Sequence, residues 1–286
     1  MPDSRLIEQL AALTDLPGVR ERAESVREAA ARLRFHEALR RRVAEAAAES
    51  RVRGAGASAR LDGAQLPLQA VRDLVRGARD WPTDPDPAMR VVRGAVTATA
   101  ETEHVVGLVR TAPLQALARL HVAAAGHLLA PDAVGRPRVD GETCDELVDL
   151  GPAPPAGTVS ARLAQVSEVV VAGASSVHRV PAVVVAAVVH AEVAVVRPFA
   201  RGNGLVARAF ERALVQASGL DPTGVAVPEA GHAAAGAAAY LGALTAYAEG
   251  SAAGVALWLG HCADALLAAV QEGERICDAV RLGRLT

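Results

Sequence analysis

The stretch Val180-Pro-Ala-Val-Val-Val-Ala-Ala-Val-Val-His190-Ala-Glu192-Val-Ala-Val-Val196, followed by Arg197-Pro198-Phe199-Ala200-Arg201-Gly202-Asn203-Gly204-Leu205-Val206-Ala207-Arg208, decides the fold. Valine favours strands, but this apolar run spans about three normal strand lengths. Its embedded alanines and near-complete apolarity predict a central helix buried all round. His190 and Glu192 interrupt it, and it is too short and too polar for a membrane span. Arg197 to Gly204 then reads as a proline-terminated turn and a Gly-Asn-Gly bend, opening a second helix that runs to about Ser218. Gly202 and Gly204 permit positive φ and leave room for a ligand to approach the backbone. Exposed N–H groups at a helix start form an anion cradle, helped by roughly half a positive charge from the helix dipole. Asn203 can hold the bend through its side chain. Arg197, Arg201 and Arg208 set fixed cations around it.

Outward from this stretch the chain reads as helix and connector. Residues 3 to about 50 carry helical patterning, and the charged run Arg20 to Arg42 reads as a solvated face. Arg53-Gly54-Ala55-Gly56-Ala57 reads as a glycine-interrupted hinge. Trp81 to Pro87 holds three prolines and is a connector. Helices follow over about 88–109, 113–130 and 158–173, the last ending in a loop around Ala172 to Ser176. Between them residues 131–157 are rich in Gly and Pro, with Arg136 to Asp140 as a short extended arm. The remainder to Thr286 is Ala-rich helix. No βαβ alternation appears, so the expected class is all-α.

Composition narrows the function. The 286 residues include 30 arginines, no lysine and one asparagine, with a net charge of −2. The absence of lysine excludes Schiff-base and Walker-lysine chemistry, and the charge balance gives no footprint for nucleic acid. Three cysteines without CxxC spacing (Cys144, Cys262, Cys277) read as inert thiols. No signal peptide is read at the amino terminus, so a cytoplasmic location is expected. His104, His121, His127, His178, His232 and His261 have no metal-ligand spacing and read as structural, so no metal site is expected. His190 reads as a buried histidine bonded to a neighbouring carbonyl. Ser160, Ser175 and Ser176 sit in no GxSxG elbow.

Residues 197–208 resemble the Fic (Fido) motif, His-Pro-Phe-x-Asp/Glu-Gly-Asn-Gly-Arg-x-x-Arg. His190 resembles the histidine of the helix before that motif. Gly135-Arg136-Pro137-Arg138 and Gly151-Pro152-Ala153-Pro154-Pro155 are similar to the family's flap arm and proline cluster. The resemblance spans about residues 90 to 218. It implies a Fic-like helical core (88–218) with a short β flap arm, an N-terminal helical segment (1–87) and a C-terminal helical cap (219–286), packed as one unit. It also implies AMP transfer from ATP, with the motif His as base, the acidic residue on Mg²⁺ and two arginines on phosphates.

The departures change that implication. Arg197 stands at the base position, where a guanidinium with pKa above ~12 accepts no proton at neutral pH. Arg201 stands at the metal-ligand position, so Mg²⁺ would not be held in the usual way. Leu205 replaces the first phosphate-gripping arginine. The expectation is a protein that binds ATP, another nucleotide or a different phosphate-bearing small molecule at Arg201, Gly202, Asn203, Gly204 and Arg208, without standard AMPylation. The alternatives are an active nucleotidyl or phosphoryl transferase with unorthodox catalysis, using His190 or a substrate-derived base, and a non-catalytic subunit for a protein partner. Neither nucleic acid nor membrane is an expected partner. Ser58-Ala59-Arg60-Leu61-Asp62-Gly63 resembles the family's inhibitory pattern Ser/Thr-x-x-x-Glu-Gly/Asn, which would set Asp62 against Arg208. The competing reading is a helix start or turn at Asp62-Gly63.

Overall fold

A computed structural model describes residues 4–146 and 151–285. The order is α1 (Ser4–Leu13), α2 (Val19–Arg34), α3 (Val43–Leu61), α4 (Leu68–Val75), α5 (Pro87–Val105), α6 (Pro113–Ala125), α7 (Val159–Ser175), α8 (Ala182–Val196), α9 (Asn203–Ala217), α10 (Pro228–Ala234), α11 (Ala237–Ala248) and α12 (Ala252–Arg281). The all-α expectation holds.

α8 lies at the centre, flanked by α7, α9, α11 and α12. Only Ala182, Glu192 and Val195 along it are partly exposed, which is what an apolar sequence without a polar face requires. Glu192 is satisfied at the edge by Arg162 (2.5 Å) and by the Tyr247 hydroxyl (2.9 Å). α9 is nearly as buried despite five charged or amide side chains, because Asn203, Arg208 and Arg212 are each hydrogen-bonded within the protein. Arg212 forms a bidentate pair with Glu229 of α10 (2.7 and 2.8 Å) and reaches Ser50 of α3 (3.1 Å). Breaking such a pair from one side costs about 3–5 kcal/mol, so it fixes where α9 sits.

α12 closes the molecule by packing on α2, α3, α8, α10 and α11. It is long and apolar enough to cross a membrane by length and composition. Its apolar side lies within the protein, with Trp258, Leu266 and Ile276 buried and the Trp258 indole N–H donating to Ala187 O at 2.8 Å. One hydrophobic core draws on helices from all three predicted segments.

Several local expectations are corrected. Residues 53–57 are no hinge but the middle of α3. Gly54 is there for close packing: a Cβ would lie 2.6 Å from an Arg212 guanidinium nitrogen and 2.8 Å from Glu229 Oε2. α7 continues through Ser175, so the loop begins at Ser176. The arm at Arg136 to Asp140 is not a β element, and no strand occurs among the described residues. Prolines and glycines punctuate it too densely for a ladder. The remaining part of that region, residues 147–150, lies outside the described residues.

Candidate functional site

The Arg197–Gly202 loop joins the two most buried helices, α8 and α9. Arg197 ends α8 with φ 47° and ψ 66°, and is the one non-glycine positive φ among the described residues. Left-handed backbone costs a non-glycine residue roughly 1–2 kcal/mol. Here the surroundings hold it: its guanidinium donates to Gly151 O (2.8 Å) and Pro152 O (2.6 Å). Arg138 of the arm caps the same helix end, donating through Nε to Arg197 O (2.8 Å) and through Nη2 to Val196 O (3.4 Å) and Pro154 O. Arginine is well suited to collect the orphan carbonyls of a helix C-terminus.

Asn203 closes the bend. Its Oδ1 accepts from Phe199 N (2.9 Å) and its Nδ2 donates to Phe199 O (2.8 Å), so one carboxamide spans both backbone groups of Phe199. Gly202, with φ +79°, supplies the left-handed step before α9. Gly204 uses no positive φ. Its role is space, because a Cβ there would lie 2.6 Å from Asp62 Oδ1.

The cradle is filled from within the chain. Glu146 accepts from Gly202 N (3.0 Å), Asn203 N (2.9 Å) and Asn203 Nδ2 (2.7 Å). A carboxylate thus sits where the helix dipole and converging N–H groups favour an anion. Burial and the nearby Asp62 charge push the Glu146 carboxyl above its ordinary pKa of 4.5, against the donors' pull. The arm reaches this position along the loop: Arg138 N donates to Pro198 O (2.8 Å), Asp145 N to Ala200 O (2.9 Å), and Cys144 Sγ to Phe199 O (3.0 Å). Arg201 pairs with Asp145 of the same arm.

His121 joins arm and loop from below. It stacks on Phe199 at 3.8 Å with 9° between planes, accepts from Gly135 N at Nδ1 (2.9 Å) and lies 3.2 Å from Arg201 O at Nε2. Only the neutral ring makes both bonds, and burial lowers its pKa to about 4.

Arg208 is buried and fully engaged. It donates to Ser58 Oγ (2.8 Å), Ser58 O (3.1 Å) and Asp62 Oδ1 (2.6 Å), and its Nη1 lies 3.4 Å from the Tyr240 hydroxyl. Burial works against its charge, and the facing Asp62 outweighs it, raising the guanidinium pKa. Asp62 and Gly63 stand at the end of α3, not at a helix start, and Ala64 N donates back to Ala59 O (2.9 Å). That return bond is a Schellman ending, and it aims the Asp62 side chain at α9. Leu205 is core, 1% exposed, against the glycine face of α5 at Gly94.

The predicted residues therefore converge: Arg201, Gly202, Asn203, Gly204 and Arg208 with Ser58 and Asp62 line one place. His190 is not among them. It is fully buried in α8, and its partners are the Glu211 carboxylate (2.7 Å) and the Tyr240 hydroxyl (2.8 Å), not a backbone carbonyl. Sequence reasoning missed Glu146, Arg138 and His121. Nothing local marks Glu146 among 32 acidic residues. Arg138 stood within the quoted arm without a role.

This arrangement of helices around an α8–loop–α9 core matches solved structures. A Fic family protein from Desulfovibrio desulfuricans G20 superposes with a TM-score of 0.70 at 20% identity, covering 91% of this chain and 74% of that one. Fic-1 (residues 134–508) from C. elegans gives 0.69 at 19% identity, over 93% and 73%. A Fic domain containing signaling protein from Bacteroides thetaiotaomicron VPI-5482 gives 0.65 at 10% identity, over 90% and 98%. The chain has the Fic/Fido fold. By sequence, no family model matches it and no curated protein matches it.

Proposed function

We propose that the Gly202–Arg208 corner is a self-plugged site for a phosphate-bearing small molecule, nucleotide-like in class, that is bound without standard AMP transfer. The observation that carries this reading is the convergence of Gly202 N, Asn203 N and Asn203 Nδ2 on one carboxylate, that of Glu146. Donors that hold a carboxylate in this geometry suit a phosphate oxygen equally. Arg208 would follow the phosphate once Asp62 releases it, and Arg201 once Asp145 does. Arg197 supplies no base, and its guanidinium is spent on holding the arm. Mg²⁺ has no dedicated acidic ligand at position 201.

The plug also favours a second reading, a non-catalytic subunit whose loop is fixed for a protein partner, since the cradle donors are already satisfied. Calorimetry separates the two. ATP, ADP and AMP are titrated with and without Mg²⁺ into the wild-type chain and into Asp62→Gly. Heat that is indifferent to Mg²⁺ and larger for Asp62→Gly is expected. No heat from either protein at millimolar nucleotide overturns ligand binding in favour of the subunit.

A further inference from the structure

Beneath the plugged corner, three helices bring together a cluster that the phosphate reading does not use. His190 of α8, Glu211 of α9 and His232 of α10 are each fully buried, and their ligand-type atoms lie within 4.8 Å of one another. His190 Nδ1 and His232 Nε2 both approach the same oxygen, Glu211 Oε2, at 2.7 Å. The other oxygen, Oε1, is buried without a hydrogen-bond partner. The buried arginines nearby are committed elsewhere, Arg208 to Asp62 and Arg212 to Glu229. Glu211 is thus a buried carboxylate whose ion-pair partners among the described residues are two imidazoles. An orphaned buried oxygen and a charge without a permanent cation are both costly.

We infer that His190, Glu211 and His232 form a binding site for a zinc-class divalent transition-metal ion. Two imidazole nitrogens and one carboxylate are a borderline donor set of the kind that selects zinc-like ions over Mg²⁺ or Ca²⁺. The ion would take Glu211 Oε1 as well as its charge. The outer partners are in place. With a metal on His190 Nδ1, the ring proton moves to Nε2 and donates to the Tyr240 hydroxyl, 2.8 Å away. With a metal on His232 Nε2, the proton moves to Nδ1 and donates to His261 Nε2, 3.2 Å away. Each imidazole only changes tautomer, so the exchange balances without net proton release. Ligating histidines anchored through the far nitrogen are the usual architecture of such sites. Metal bonds of ~2.0–2.1 Å need donor atoms roughly 3.3 Å apart, so the rings must part by several tenths of an ångström from their hydrogen-bonded spacing.

The test uses the full chain without a polyhistidine tag, expressed in zinc-supplemented and, in parallel, cobalt-supplemented medium. Elemental analysis should give about one ion per chain, and the cobalt form should show visible d–d absorption from nitrogen and oxygen ligands. Glu211→Gln, close in shape, should lower occupancy about tenfold or more. Should that variant not fold, Tyr240→Phe removes the outer partner of His190, along with a longer contact of Arg208, and should loosen the metal about tenfold. A wild-type chain that emerges metal-free from both media overturns the site, leaving two imidazole N–H donors as what holds the carboxylate. Full occupancy in folded Glu211→Gln overturns it equally.

Discussion

Replacing Glu146 with alanine tests whether the arm competes with a ligand. Glu146 accepts three hydrogen bonds of 2.7 to 3.0 Å at the start of α9. A hydrogen bond to a charged group contributes about 1.5–3 kcal/mol, so the three together supply on the order of 5 kcal/mol. Desolvation of the carboxylate and repulsion from Asp62 oppose this, and both are visible in its raised pKa. Ordering the arm opposes it further, at about 1–2 kcal/mol for each residue fixed by the plug alone. The balance is closure by about 1–2 kcal/mol, or roughly a tenfold reduction in the open fraction. Glu146→Ala should therefore lower the apparent Kd for ADP about tenfold. Glu146→Gln, which keeps one acceptor, should fall between. Calorimetry supplies the Kd, and the amide resonances of Gly202 and Asn203 report the cradle: they should move in the unliganded variant and shift again on adding ADP. An alanine variant that binds no more tightly than wild type would refute the competition. One that binds more weakly would make Glu146 a ligand contact and not a plug.

Three further outcomes follow from the geometry. The pKa of His121 is depressed from 6.5 to about 4, so its contribution is complete above pH 6.5 and lost as pH falls through 4. The shift corresponds to roughly 3 kcal/mol, and thermal melts at pH 7 and pH 4.5 should differ less for His121→Phe, which keeps the stack on Phe199 but cannot protonate. Gly231→Ala would drive a Cβ into Ala265 O, a backbone atom that gives way only if its helix does. α10 must move off α12, and denaturant unfolding should show a loss of about 3 kcal/mol or more. Asn203→Asp exchanges the donor to Glu146 for a second carboxylate and leaves Phe199 O with only the weak Cys144 thiol as donor. Stability should fall by about 2–4 kcal/mol, with faster hydrogen exchange along the arm.

The sequence carries most of the fold, because the deciding elements are local. α8 is legible from length and uniform apolarity, and the bend before α9 from Pro198 and Gly202. Asp62 against Arg208 is legible only through the resemblance, since no spacing rule links positions so far apart. The errors share one cause. Gly54 and Gly56 look like a break because each costs a helix about 1 kcal/mol. At Gly54 what offsets that cost is room for an ion pair, Arg212–Glu229, contributed by two other helices, whereas Gly56 faces only Leu68 and Val71 of α4. His190, Glu211 and His232 are likewise invisible as a set, since each comes from a different helix. Glu146 could not be singled out because a carboxylate is marked as a plug only by the N–H groups it faces.

The hold that Asn203 keeps on Phe199 and Glu146 also governs how the molecule ages. An asparagine followed by glycine is the pairing most prone to deamidation, because an unbranched neighbour lets its backbone nitrogen close a ring on the side-chain carbonyl carbon. Ring closure requires the carboxamide to swing free, and here both of its ends are tied down. While the arm is docked the site is protected from its own chemistry. Each excursion of Glu146 out of the cradle removes one of the three ties on the one asparagine in the chain and leaves the two to Phe199 as its guard; once those break as well, conversion into aspartate places a permanent negative charge among the cradle N–H groups. The plug then adds to the preservation of the bend, and stored Glu146→Ala should lose its cradle faster than the wild-type chain.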